Sequence, residues 1–409
     1  MKTATLIASV ASALLCQPAQ ARVVPAWTAS QQSIWGREFL FPTNIPASLV
    51  GRTLRQVVRL AIGGRDVRIV LANTYGAKPI IIAGTHFASS AGESRSAPGS
   101  DRAVTFGGEA VVTIAPGATV VSDPLPLAVE SGKDVAISLY FTQAPAIESF
   151  HWDGKRTGYV LDGDALSTSA PKVAETTTAR VLLAGVLVDA PVVNGTVVVM
   201  GDSITDGAGA TLDAEARWPD YLAARAAPRG IAVVNAGISG ARLLSDGMGR
   251  NALARLDSDV MAQPGIRTLV LMLGINDIAW PGTPFDPHAP MPTFQALVAG
   301  YRAVAARAHA SGVRVIGGTL TPFADALPGT PLAPTYYSPA KDALRIRVND
   351  WIRKSGTFDA VVDYDSIMAD PRAPRHLAPA FDSGDHLHPG DVGNKTMADS
   401  IDLDTLIGD

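Results

Sequence analysis

Four short segments hold residue types that together could break an ester bond. The first is Gly201-Asp202-Ser203-Ile204-Thr205-Asp206-Gly207, directly after the apolar run Val197-Val198-Val199-Met200. A serine where a strand ends and a helix opens lies near backbone N–H groups and the positive end of the helix dipole, so negative charge on or near its oxygen is favoured. Taken alone, a serine after a strand is more often a helix N-cap than a nucleophile. Near the carboxyl end stands Asp385-His386-Leu387-His388-Pro389. Hydrolysis by serine needs a base to take the hydroxyl proton and a carboxylate to hold that base in one tautomer, and one loop here supplies both. The spacing leaves His386 and His388 both eligible as the base. Between these segments come Asn235-Ala236-Gly237-Ile238-Ser239-Gly240-Ala241-Arg242 and Gly274-Ile275-Asn276-Asp277. Glycines let backbone amides approach a substrate, and an Asn amide donates without titrating, so both suit an oxyanion hole. Both also read as turns.

The elements that must position these segments change character along the chain. From 22 to 190, short β-rich runs such as Val67-Arg68-Ile69-Val70-Leu71, Ile80-Ile81-Ile82, Ala136-Ile137-Ser138-Leu139-Tyr140 and Val181-Leu182-Leu183 are divided by Gly, Pro, Asn and Asp. Almost no helical periodicity separates them, which predicts an antiparallel β-sandwich of jelly-roll type. From 191 to 409, apolar runs at 197–200, 232–234, 269–273, 313–316 and 361–362 alternate with helical stretches. That alternation predicts a parallel sheet covered on both faces, with ligands at the carboxyl ends of its strands. The chemistry-bearing segments follow such ends. A chain of 409 residues accommodates two domains of this kind.

Residues 1–21 read as an export signal: Lys2, an apolar run from Ala4 to Cys16, and Ala19-Gln20-Ala21 before Arg22. About 13 apolar residues fall short of the roughly 20 that cross a bilayer, so the mature chain is expected to start near Arg22, secreted or periplasmic and free of the membrane. Cys16 is the single cysteine, so a cleaved chain has no disulfide and no thiol nucleophile or ligand. The formal net charge is −4 and the basic residues are scattered among acidic ones, which gives no surface for nucleic acid.

In their order, Gly201-Asp202-Ser203, Gly240, Gly274-Ile275-Asn276-Asp277 and Asp385-His386-Leu387-His388-Pro389 resemble the four blocks of the SGNH (GDSL-type) hydrolases. The resemblance covers roughly residues 195 to 405. It implies a flavodoxin-like αβα sandwich and a serine esterase with Ser203 as nucleophile, His388 rather than His386 as base, and Asp385 as its carboxylate. It further implies an oxyanion hole of the Ser203 and Gly240 amides with the Asn276 side chain, and no cofactor or metal. The segments Arg55–Leu60, Arg68–Asn73, Phe106-Gly107-Gly108 and Arg217-Trp218-Pro219, with Arg242, look like those of a two-domain subgroup of arylesterases and acylhydrolases associated with xylan degradation. This favours a short O-acyl ester, such as acetyl on plant cell-wall carbohydrate, over aryl or lipid esters, with Arg242 as a candidate substrate contact.

Other residues read either way. Trp280 and Trp152 could stack on sugar rings or serve as packing. His86, His288 and His309 read as structural or solvated. Asp202, Asn276, His386, His388 and Asp391 include metal-binding types but lack a ligand spacing. The GxSxG elbow is absent from the sequence, which argues against the common lipase fold. A polysaccharide-binding protein with an inactive hydrolase domain is the alternative from another class.

Overall fold

The computed structural model describes residues 22–143 and 147–408, so the expected export signal lies outside the described residues. Residues 22–190 form antiparallel sheets around one core. One sheet runs in the order 22–28, 183–190, 64–72, 125–129, with 119–121 also paired to 64–72; the other runs 173–177, 158–162, 52–59, 134–141, 84–89, 102–104. Alternation sorts the side chains. Val24, Ile69 and Val186 from the first sheet meet Leu54, Phe87 and Ile137 from the second in a shared apolar interior.

The outer face of the strand Arg52–Arg59 is buried too. Arg55 there donates to Ser138 Oγ (2.9 Å) and to the carbonyls of Ser94, Ala165, Leu166 and Thr168 (2.7–3.1 Å). Burial lowers its pKa, against the field of Asp101. One cation thereby pins two loops over the sheet. The predicted run Val181-Leu182-Leu183 is not one strand: Leu182 sits at φ 61°, so Arg180–Val181 pairs with the strand Ser149–His151 while Leu183–Ala190 crosses into the first sheet. Leu182 is fully buried in the core, which holds it in this conformation.

Residues 195–408 form a five-stranded parallel sheet in the order 231–235, 195–201, 266–272, 314–318, 360–362. Its central runs are continuously apolar because both faces are covered. Val198, Met200, Leu269, Leu271 and Val315 pack beneath the helices Phe294–Ala310 and Pro339–Lys354. Val197, Val199, Val270, Met272 and Ile316 pack on the other face, with Trp218 and Leu222 from the helix Trp218–Ala226 and Met397 from the helix Asp391–Asp399. The chain leaves the strand Gly195–Gly201 for a neighbour on one side and then the other, and the crevice of an open α/β sheet lies at such a reversal. Ser203 follows that strand.

The two halves share a polar seam. Thr28 Oγ1 donates to the Asn235 carbonyl (3.0 Å), and Arg156 pairs with Glu215 (3.1 Å). No helix among the described residues is long and apolar enough to cross a membrane.

Candidate active site

Ser203 opens a one-turn helix, Ser203–Asp206, capped by the Asp202 carboxylate, which accepts from the Ile204 amide at 3.1 Å. The turn is so tight that a Cβ on Gly201 would fall 2.1 Å from Thr205 Oγ1 and 2.7 Å from the Met272 carbonyl oxygen. His388 Nε2 lies 2.8 Å from Ser203 Oγ, and His388 Nδ1 lies 2.6 Å from Asp385 Oδ2. The other oxygen of Asp385 accepts from the Leu387 and His388 amides (3.0 and 2.8 Å), so the carboxylate is locked to its own loop. Burial works against its charge, but the hydrogen bond and charge of His388 and the two amides outweigh it and hold the carboxyl well below the usual range. Asp385 therefore stays ionised, and Nδ1 keeps the proton that faces it.

His386 is not interchangeable with His388. It lies at φ 60°, its side chain is 43% exposed, and its Nδ1 pairs with Asp382. The structure thus brings Ser203, His388 and Asp385 together and turns His386 outward.

Gly240 and Asn276 stand beside Ser203 on the wall of a cavity of about 360 Å³. Neither the Ser203 nor the Gly240 amide has an acceptor within the described residues. Gly240 has φ 71°, and a Cβ there would lie 2.7 Å from Met248 Sδ and 2.9 Å from the Trp280 ring. Asn276 is buried in the short helix Ile275–Ala279. Its Nδ2 donates to the Ala241 carbonyl (3.1 Å), and its Oδ1 accepts from Tyr336 OH (3.0 Å). These partners fix which end of the amide is nitrogen and leave a second N–H for a ligand. The neighbouring Asp277 accepts from the Leu243 and Leu244 amides (2.7 and 2.9 Å) and so ties the Gly240 loop to the same helix. Burial raises Asp277 to about 6 and Asp202 to about 7.

Most of the remaining cavity wall is apolar, with Asp153, Ser239, Thr330 and Tyr336 as polar exceptions, and it comes from both halves of the chain. Leu40, Phe41 and Trp152 of the β-domain face Met248, Trp280, Phe285, Leu332 and Leu387. Phe41 stacks on Trp152 (5.2 Å between centroids) and contacts Phe285 (5.6 Å), which in turn stacks on Trp280 (4.5 Å). Trp280 is only 4% exposed, so its rings mainly support the wall. Arg242 departs from expectation. It does not line the cavity; its guanidinium lies 5.1 Å from the Trp280 centroid and pairs with Asp286 at 2.7 Å. Asp286, remote in sequence, claims the charge.

His86 and His309 pair with Asp101 and Asp359 (both 2.8 Å) and contribute nothing to this cavity. Among the described residues, no group of three or more His, Cys, Asp or Glu side chains is placed to hold a metal ion. Asp391 accepts from the Thr211 amide. Sequence reasoning missed Tyr336, the Phe41 wall and the buried contact between His151 and Asp206. No local motif marks Tyr336, and the other two depend on the seam between domains.

Residues 199–396 match the model of the GDSL-like lipase/acylhydrolase family. No curated protein matches the chain. Among solved structures, a GDSL-like lipase from Bacteroides thetaiotaomicron is 21% identical, with 50% of this chain and 85% of that one covered at a TM-score of 0.36. The acetyl xylan esterase AlAXEase is 18% identical over 50% of this chain and 96% of its own, at 0.37. A catalytic mutant of an acetylxylan esterase from Geobacillus stearothermophilus is 22% identical over 53% and 95%, at 0.36. At these TM-scores the three likenesses add no weight to the family match. Residues 199–396 are thus a GDSL-like lipase/acylhydrolase domain, and the chain is an ester hydrolase.

Proposed function

We propose that the protein is an exported serine esterase that hydrolyses short O-acyl esters, acetyl groups on cell-wall carbohydrate such as xylan foremost, through an acyl-enzyme. The observation that carries the mechanism is the unbroken line from Asp385 through His388 to Ser203 beside two unpaired amides. Ser203 Oγ attacks the carbonyl carbon as His388 Nε2 takes its proton. The Ser203 and Gly240 amides and Asn276 Nδ2 receive the oxyanion. His388 then protonates the departing alcohol oxygen, and the C–O bond breaks. Water enters, loses a proton to His388 and attacks the acyl carbon; the tetrahedral adduct collapses to free acid as the proton returns to Ser203 Oγ. Asp385 holds Nδ1–H throughout and stabilises the imidazolium.

The carbohydrate reading rests on the resemblance to the two-domain subgroup, and Trp152 and Phe41 on the cavity wall are compatible with a sugar face. The β-sandwich, which we take as jelly-roll-like, is the accessory domain of residues 22–190, and residues 191–409 are the catalytic one. A second reading, aryl or longer acyl esters, is favoured by the predominantly apolar lining. Among the described residues, no basic side chain apart from His388 lines the cavity, which supports a neutral substrate over a phosphate-bearing lipid. Acetate release from acetylated xylan, beside turnover of aryl acetate, butyrate and octanoate, separates the readings. Release by the wild type and not by Ser203→Ala supports the first. Aryl ester turnover without acetate release from xylan shifts the substrate to the second.

A further inference from the structure

Between the domains lies a buried ion pair that the acyl-transfer steps do not use. His151 ends the strand Ser149–His151 of the β-domain and is 4% exposed. Its Nδ1 is 3.0 Å from the Ser30 carbonyl, which can only accept, so Nδ1 carries a proton. Its Nε2 lies 3.0 Å from Asp206 Oδ1, as an ion contact rather than an aligned hydrogen bond. Asp206, 1% exposed, is the last residue of the turn that Ser203 begins. Burial opposes both charges, yet each group sustains the other: His151 is raised above the ordinary imidazole value, and Asp206 is held below the ordinary carboxylate value.

The other oxygen of Asp206 reaches the oxyanion loop. Oδ2 accepts from both the amide and the hydroxyl of Ser239, each at 2.8 Å, and the next residue is Gly240. A single carboxylate thus joins the end of the nucleophile turn to the residue before the oxyanion amide. A second strut from the β-domain reaches the same loop. Gln32 Nε2 donates to the Met248 carbonyl (2.8 Å), Gln32 Oε1 accepts from the Trp152 amide (2.8 Å), and the Met248 side chain packs at Gly240.

We propose that His151 is a positioning residue for ester hydrolysis, a cation supplied by the β-domain that sets the Ser239–Gly240 amides through Asp206. The β-domain then helps to position the catalytic groups that the other domain carries. This rests on the assignment of Ser203 and the Gly240 amide above. An amide displaced by a few tenths of an ångström loses its hold chiefly on the transition-state oxygen, so kcat and not KM carries the effect.

The experiment uses the full chain with His151→Gln, which keeps a donor but not the charge, and active sites counted by titration with an organophosphonate. The expected result is a kcat per titrated site lowered about 10- to 100-fold, KM within about threefold of wild type, and phosphonylation of Ser203 slowed in parallel. Ser239→Ala, which removes only the hydroxyl anchor, is expected to lower kcat about threefold to tenfold, and less than multiplicatively when combined with His151→Gln. Should His151→Gln not fold, the isosteric Asp206→Asn is read in its place, with the same expected loss. A lowered melting temperature with unchanged kcat per titrated site overturns the proposal, as does full multiplicativity of the double variant. Ser203→Ala is run alongside: if it retains turnover, the nucleophile assignment falls; if it is inactive while His151→Gln is at wild-type kcat, only the role of His151 falls.

Discussion

Replacing Tyr336 by Phe tests whether the Asn276 amide is aimed by its neighbours. Tyr336 OH donates to Asn276 Oδ1 at 3.0 Å, and both groups are buried. Removing the hydroxyl forfeits a neutral hydrogen bond of about 1 kcal/mol and leaves Oδ1 without its partner, a desolvation cost of about 1–3 kcal/mol. The amide keeps one anchor, its 3.1 Å bond to the Ala241 carbonyl, so it is loosened and not released. Full loss of an oxyanion donor costs about 10²- to 10³-fold in rate, which is the expectation for Asn276→Ala. Loss of one of two anchors corresponds to about 1–1.4 kcal/mol of the barrier, or about 5- to 10-fold in kcat with KM unchanged. Initial-rate kinetics on an aryl acetate measure both constants. Because Tyr336 acts through Asn276, adding Tyr336→Phe to Asn276→Ala should cost nothing further. A further 5- to 10-fold loss in the double variant, or wild-type kcat in Tyr336→Phe, would refute the reasoning.

Asp202→Asn should stabilise the protein progressively as pH rises from about 4 to about 7, because the carboxyl is raised from its ordinary 3.8 to about 7 by burial. The folded state holds that proton longer than the unfolded chain does, so wild-type stability falls with pH across this window and the Asn variant escapes the fall. Thermal melts at pH 4.5 and 8 check it; an equal melting difference at both contradicts it. His388→Ala should abolish turnover, whereas His386→Ala, truncating an outward side chain, should stay within about threefold of wild type; comparable losses would reopen the choice of base. Gly240→Ala should reduce kcat by at least about 100-fold, since its Cβ collides with Met248 and Trp280 at a positive φ, with near-normal KM.

Where consecutive residues settle a feature, the sequence was enough. The runs 197–200 and 269–273 are apolar without alternation, and only a sheet covered on both faces suits them. Asp385 and His388 meet because they stand three positions apart in one loop, and the loop's own amides lock the carboxylate. What stayed hidden depends on distant partners. Tyr336 is 60 residues from the Asn276 it bonds, and Asp286 is 44 residues from the Arg242 it pairs with. The partnership of His151 with Asp206 exists only because the seam juxtaposes a β-domain strand with the nucleophile turn. Leu182 shows the same limit for backbone: nothing in Val181-Leu182-Leu183 signals a positive φ, which the buried crossing between sheets imposes.

The central claim is that Ser203 is the nucleophile. Its most direct test is mass spectrometry of the protein after inactivation by an organophosphonate ester. One adduct per chain, located on the peptide that contains Ser203 and formed in proportion to lost activity, is the expected result. Full activity after complete modification of Ser203, or loss of activity with the adduct on another residue, would contradict it.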